Sequence, residues 1–125
     1  MIAIVDDDES VREATKSLVR SLGYEATTFR SAEEFLGSAE KTVAACLITD
    51  VKMPGLSGVE LHDRLIADGH RMPTIFMSAF PDQRVQRRVL RSGAIGYLNK
   101  PFAEDHLIAC IETALKDRSG LSAGR

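Results

Sequence analysis

A chain of 125 residues is the size of one domain and can bury roughly two-thirds of the surface it exposes when unfolded. Its 44% apolar and 27% charged residues suit an ordinary globular protein, and a net charge of −2 argues against a nucleic-acid-binding surface. No apolar run nears the ~20 residues of a membrane span, and three aspartates follow the apolar start too soon for a signal peptide, so the cytoplasm is the expected compartment.

Ile2-Ala3-Ile4-Val5 is a β-branched-rich apolar run, which predicts a strand covered on both faces and ending at Asp6-Asp7-Asp8. Ser10 and Glu13 have the spacing of a capping box. Val11, Ala14, Leu18 and Leu22 continue at helical spacing, and Gly23 is a natural terminator. Residues 24–29 read as a second strand. Ser31 and Glu34 open a second helix with another capping box, and Phe35, Leu36 and Ala39 form its apolar side. Residues 46–49 form a third strand that delivers Asp50 to the sheet rim, with Pro54 and Gly55 marking the turn beyond.

Ser57 and Glu60 cap a third helix in the same way, with Val59, Leu61, Leu65 and Ile66 as its apolar set and Gly69 at its end. Pro73 introduces a fourth strand over 74–78, and Pro81-Asp82 opens a fourth helix that closes at Gly93. On that helix Arg84, Arg87, Arg88 and Arg91 share a face away from Val85, Val89 and Leu90. A solvated face and a partner-docking strip both fit it. Residues 95–98 make a short fifth strand, Lys100-Pro101 a turn, and 104–116 the last helix. Residues 119–125 are small and polar, as in a flexible tail or the start of a linker, leaving 1–118 as the domain. Cys46 and Cys110 lack metal-type spacing and are expected to be buried reduced thiols. His62, His70 and His106 are expected at the surface.

Strands and helices alternate strictly, which implies an α/β domain: a doubly wound parallel sheet with helices on both faces. In such sheets ligands bind outside the carboxyl ends of the strands. Those ends carry Asp6 and Asp7, Asp50, Ser78 and Lys100. Two like charges ~4 Å apart repel by about 4 kcal/mol at an effective dielectric near 20. Three carboxylates facing one lysine therefore call for a hard divalent cation, and an all-oxygen site suits Mg²⁺. An ion-pair cluster that only stabilises the sheet edge is the alternative. A carboxylate beside Mg²⁺ and a lysine is arranged to take up a phosphoryl group, with Asp50 as nucleophile and Lys100 and the metal neutralising charge in flight.

Four motifs, each at a strand end, carry a family resemblance: Ile4-Val5-Asp6-Asp7-Asp8, Thr49-Asp50-Val51-Lys52-Met53-Pro54-Gly55-Leu56-Ser57-Gly58, Met77-Ser78-Ala79, and Gly93-Ala94-Ile95-Gly96-Tyr97-Leu98-Asn99-Lys100-Pro101-Phe102. Over almost the whole chain the sequence resembles the receiver domain of two-component response regulators. The resemblance implies a flavodoxin-like strand order 2-1-3-4-5. It implies Asp50 as the phosphoacceptor, charged by a sensor histidine kinase. Asp7 and Asp50 would bind Mg²⁺ directly with the backbone carbonyl of Lys52, and Asp6 mainly through water. Lys100 would contact the phosphate, with a cis bond to Pro101. Ser78 and Tyr97 would act as the switch pair that reshapes the surface of the fourth helix, fifth strand and fifth helix, through which a homodimer is possible. Lys52 and Phe80, two residues beyond Asp50 and Ser78, occupy positions that influence access to the phosphoryl group. Phe80 is expected to shield it from water, while Lys52 either contacts the phosphate or points to solvent.

The expected role is a switch that is phosphorylated and dephosphorylated with its own help, without direct nucleic-acid binding, controlling an output such as transcription where an output domain follows. A packed but non-switching surface role for Tyr97 stays open. An aspartyl-phosphate phosphohydrolase is the competing enzyme reading, but Lys52 stands where its second aspartate would be. A flavin-binding flavodoxin is disfavoured by the acidic first turn, where a phosphate cradle would be rich in Gly, Ser and Thr.

Overall fold

The computed structural model describes the backbone of residues 1–123 and the side chains of residues 1–116. Five strands, β1 (Ile2–Val5), β2 (Ala26–Phe29), β3 (Cys46–Asp50), β4 (Thr74–Ser78) and β5 (Gly96–Asn99), alternate with α1 (Glu9–Ser21), α2 (Ala32–Leu36), α3 (Gly58–Ala67), α4 (Gln83–Arg91) and α5 (Glu104–Ala123). All strands pair in parallel, in the order β2-β1-β3-β4-β5. This is the flavodoxin-like arrangement expected from the sequence.

Alternation along the strands assigns the layers. Ile2, Ile4, Ile48, Ile75 and Met77 turn toward Val19 of α1 and Leu107 and Ile111 of α5. Ala3, Val5 and Leu47 turn the other way, toward Phe35 of α2 and Leu61 and Leu65 of α3. Phe76 and Tyr97 continue that second face, against Val59 of α3 and Val89 of α4. Both faces of β1, β3 and β4 are buried throughout, which is why these runs contain so few polar residues.

Local chemistry departs from expectation in several places. The cap of α1 is Asp8, whose side chain accepts from the amides of Ser10 and Val11; Ser10 lies inside the helix, so its predicted capping box is absent. The buried stripe of α1 is Arg12, Thr15 and Val19, with Val11, Leu18 and Leu22 only flanking it and Ala14 exposed. Polar side chains at two buried positions conceal such a stripe from a hydrophobicity pattern. On α2, Ser31 caps the Glu34 amide, but Glu34 reaches back to Arg30 N rather than to Ser31. That helix stops at Leu36, and Ala39 falls in a separate 3₁₀ turn, Ala39–Thr42. The Ser57–Glu60 capping box of α3 is complete. Helices α3 and α4 end as predicted at Gly69 and Gly93, whose φ of +83° and +99° favour glycine.

His62 is buried, contrary to the surface position expected for it: its ring meets Phe76 edge-on at 5.4 Å, a use of histidine as a packing aromatic that spacing cannot reveal. Burial pushes its imidazole pKa below the ordinary value, and Arg88 adds to that while Asp63 opposes it. His70 is half-buried and His106 exposed. The α4 arginines are all exposed, as is Leu90, which was expected on the apolar side. Arg88 pairs with Asp63 of α3 at 2.6 Å. Cys46 and Cys110 are both in the core. Helix α5 runs beyond its predicted end at residue 116. Of the segment 119–125 read as a tail or linker, residues 124 and 125 lie outside the described residues.

Candidate functional site

Sheet register brings the strand-end residues together. Val5 pairs with Thr49, so Asp6 and Asp50 stand level on neighbouring strands. Asp50 pairs with Met77, placing Ser78 one step beyond. Ser78 pairs with Asn99, placing Lys100 just past the edge. Asp6 and Asp50 are 1% and 6% exposed, while Asp7 lies open on the rim.

Lys100 is the cation that joins the acids. Its Nζ lies 2.8 Å from Asp6 Oδ2 and donates to Asp50 Oδ2 at 3.0 Å. The bond between Lys100 and Pro101 is cis, as expected. Burial pushes the Asp50 carboxyl above its ordinary pKa, and the charges of Asp6 and Asp7 add to this, whereas Lys100 opposes it. For Lys100 burial acts downward, but its contacts with Asp6 and Asp50 outweigh that and leave its pKa raised. An isolated ion pair would lower its acid while raising its base. Asp50 rises as well because burial, with the charges of Asp6 and Asp7 adding to it, outweighs the single ammonium the acids share.

A divalent cation fits this shortfall. One carboxylate oxygen each from Asp6, Asp7 and Asp50 lies within 4.8 Å of the others. Asp6 Oδ1 accepts from the Asp8 amide at 2.9 Å, but Asp6 Oδ2, although buried, accepts no hydrogen bond. Its polar neighbour is the Lys100 ammonium, an ion pair at 2.8 Å that Asp50 shares. Three clustered carboxylates that share one ammonium are hard oxygen donors, which suit Mg²⁺ rather than a soft metal.

Among the described residues, the other expected site residues make no side-chain hydrogen bond or ion pair to the Asp50 carboxylate. The buried Ser78 hydroxyl donates to the Phe80 carbonyl at 3.0 Å and accepts from the Phe80 amide at 3.1 Å. Phe80 itself is 70% exposed. The Lys52 ammonium sits 5.8 Å from the centre of the Phe80 ring, a cation–π approach that holds the two side chains together at the mouth. Tyr97 is buried among Val51, Val59, Phe76 and Val89, which rules out the surface-packed placement. Its hydroxyl accepts from the Asp82 amide, the cap of α4, at 3.4 Å.

Three residues that shape the site were not singled out by sequence reasoning. Arg12, 8% exposed, donates to the Asp6 main-chain carbonyl at 2.8 Å. The exposed Glu33 of α2 accepts from the Leu56 amide at 2.9 Å and so pins the loop after β3; that bond also lowers its pKa. Gly58 donates its amide to the Val51 carbonyl at 2.8 Å, and a side chain there would run into the Asp50 carbonyl. The Gly58 signal was present in the motif, but nothing marks Arg12, which bonds the backbone six residues back, or Glu33, whose partner lies 23 residues along the chain.

Comparison with known proteins gives this geometry a family. Residues 2–112 match the model of the response regulator receiver domain. The response regulator protein TmoT of Ectopseudomonas mendocina is 42% identical over 93% of this chain and 53% of its own length. The transcriptional regulatory protein FixJ of Bradyrhizobium diazoefficiens is 35% identical over 92% of this chain and 56% of its own. The chain thus spans about half the length of the curated relatives it matches. Among solved structures, the response regulator StyR superposes with a TM-score of 0.90 at 39% identity, over 99% of this chain and 63% of that one. The FixJ-N structure does so at 0.83 and 32% identity, over 92% of each. A parallel sheet in this order, acids gathered at its carboxyl edge and matches of this extent lead to one conclusion: the chain belongs to the response regulator receiver domains of two-component signalling.

Proposed function

We propose that Asp50 is the phosphoacceptor of this receiver domain, charged from a phosphohistidine of a sensor histidine kinase. The observation that carries the reading is the meeting of Asp6, Asp7 and Asp50 within 4.8 Å, with Lys100 between two of them. Asp6, Asp7, Asp50 and the main-chain carbonyl of Lys52 would hold Mg²⁺, which when bound supplies positive charge to the phosphoryl oxygens. An Asp50 oxygen forms the new bond to phosphorus as the phosphorus–nitrogen bond breaks, and that electron pair stays on the imidazole nitrogen, which takes a proton. Lys100, already within 3.0 Å of Asp50, neutralises charge on the transferred group. Hydrolysis reverses the modification: water attacks phosphorus and Asp50 leaves as the carboxylate.

The switch follows from the new dianion. It competes with the Phe80 backbone for the Ser78 hydroxyl, and when that hydroxyl turns inward the loop between β4 and α4 loses its tie at Phe80. Tyr97 holds the other end of that loop through Asp82, so the surface of α4, β5 and α5 shifts with it. Turning such an equilibrium from 1:99 to 99:1 needs about 5.5 kcal/mol. A few charge-assisted hydrogen bonds at ~1.5–3 kcal/mol each supply this. Phe80 and Lys52, at the mouth, limit the access of water. The switched face, with the exposed α4 arginines 84, 87 and 91, mediates homodimerisation and docking. The output is transcriptional, as in FixJ, which is a transcriptional regulatory protein, and the setting is the cytoplasm, as is typical of receiver domains.

Treatment with acetyl phosphate and Mg²⁺, followed by intact-mass spectrometry, tests the reading. The wild type is expected to gain the mass of one phosphoryl group and Asp50→Asn none. An unmodified wild type, or an Asp50→Asn chain modified to the same extent, would refute it.

A further inference from the structure

The first turn of α1 buries a charge where an apolar side chain would be cheaper. Arg12 begins the buried stripe that continues through Thr15 and Val19. Taking a guanidinium out of water carries a large desolvation cost unless it is paired, yet among the described residues no carboxylate lies within ion-pair distance of Arg12. Its bond instead goes to a neutral acceptor, the Asp6 carbonyl, at 2.8 Å. That carbonyl belongs to the peptide joining Asp6 to Asp7. Two of the three clustered acids hang from the unit that Arg12 grips.

The other ties on this turn act on different atoms. The Asp6 amide donates to the Phe29 carbonyl at 3.1 Å, and Asp6 Oδ1 accepts from the Asp8 amide at 2.9 Å. Neither restrains rotation of the Asp6–Asp7 peptide about its flanking bonds as a bond to its oxygen does. Without Arg12 that plane is free to tip, and the exposed Asp7 carboxylate, which has no tie of its own among the described hydrogen bonds, would tip with it.

We propose that Arg12 is a positioning residue of the acidic site: by holding the Asp6–Asp7 peptide from inside the protein, it sets the spacing of the Asp6 and Asp7 carboxylates for a divalent cation. This rests on the reading of the site as a Mg²⁺-dependent phosphoacceptor. Outer partners that orient metal ligands are worth about 10–100-fold in metal affinity, and the lower figure applies because Asp50 and the loop after β3 are untouched. Removing a nearby positive charge acts in the opposite sense and would tighten binding, so the sign of the change separates orientation from bulk electrostatics.

The test measures Mg²⁺ affinity calorimetrically on the unphosphorylated protein, with amide exchange at Asp8 as a cation-free readout. Arg12→Met, of similar volume and without donor or charge, is expected to weaken Mg²⁺ binding about tenfold and to speed exchange at Asp8. Arg12→Lys, which keeps charge and one donor, should recover most of the loss. Arg12→Gln, with an amide donor on a shorter stem, is the milder lesion and decides the matter should Arg12→Met not fold; it should fall between the two. Val19→Ala, on the same stripe, is expected to lower the urea midpoint and leave Mg²⁺ affinity unchanged. Unchanged or tighter Mg²⁺ binding in the Met and Gln variants would overturn the proposal, as would a loss in Val19→Ala equal to theirs. Failure of the wild type to bind Mg²⁺ or accept phosphate would instead overturn the underlying reading of the site, and this proposal with it.

Discussion

Replacing Asp50 by Asn is expected to make the cation-free protein more stable, not less. Asp50 Oδ2 lies 3.0 Å from Lys100 Nζ, an attraction of about 5.5 kcal/mol at an effective dielectric near 20. One oxygen each of Asp6 and Asp7 lies within 4.8 Å of an Asp50 oxygen, and each such repulsion is at least about 3.5 kcal/mol before screening. Solvent weakens the share of the exposed Asp7. Attraction and repulsion thus nearly cancel, and desolvation of the buried carboxylate decides the sign, in line with the upward pressure on its pKa. Asn keeps the shape and removes the charge, while Lys100 keeps Asp6 as its partner, so no buried cation is stranded. The gain should be roughly 1 kcal/mol at neutral pH, the scale of a single substitution.

The pH dependence has a definite sign. A carboxyl whose folded-state pKa is raised penalises the fold when ionised. That penalty is present above the folded-state pKa and disappears as pH falls through it. The gap between Asn and wild type should therefore close on acidification. Mg²⁺ should reverse the order: at a hundred times its dissociation constant it adds about 2.7 kcal/mol to the wild type and little to the variant. Urea unfolding followed by far-UV circular dichroism measures all of this, since the chain has no tryptophan. An Asn variant less stable than wild type in chelator at neutral pH, or equal stabilisation of both by Mg²⁺, would refute the reasoning.

Other substitutions probe separate parts of the site. Phe80→Ala is expected to shorten the acyl-phosphate lifetime severalfold while leaving the urea midpoint near wild type, because the ring is mostly exposed; phosphate release after removal of donor measures it. Gly58→Ala places a methyl group against the Asp50 carbonyl and should cost about 1–3 kcal/mol by overpacking, slowing phosphoryl uptake as the Asp50 backbone shifts. In the wild type, His62 should lower stability as pH falls through its unfolded value near ~6.5, because burial holds its folded-state pKa lower and the unfolded chain binds the proton first. His62→Gln should flatten that limb in unfolding curves collected across mildly acidic pH.

Local chemistry and period in the sequence were enough to determine the alternation of strands and helices, the parallel sheet, the glycine stops at 69 and 93, and the set of strand-end groups that meet. Each depends on neighbours a few residues apart, whereas the strand order 2-1-3-4-5 was implied only by the family resemblance. The tertiary structure alone decided which way those groups turn. Ser78 spends its hydroxyl on Phe80, Tyr97 is buried, and His62 packs as an aromatic on Phe76. Arg12 shows the limit most clearly. Its charge reads as a solvent-facing residue in any hydrophobic pattern, yet it is buried because the Asp6 carbonyl, on the far side of the turn, offers its guanidinium an acceptor. Partners brought together by folding, and not the side chain's own polarity, determine where such a residue comes to rest.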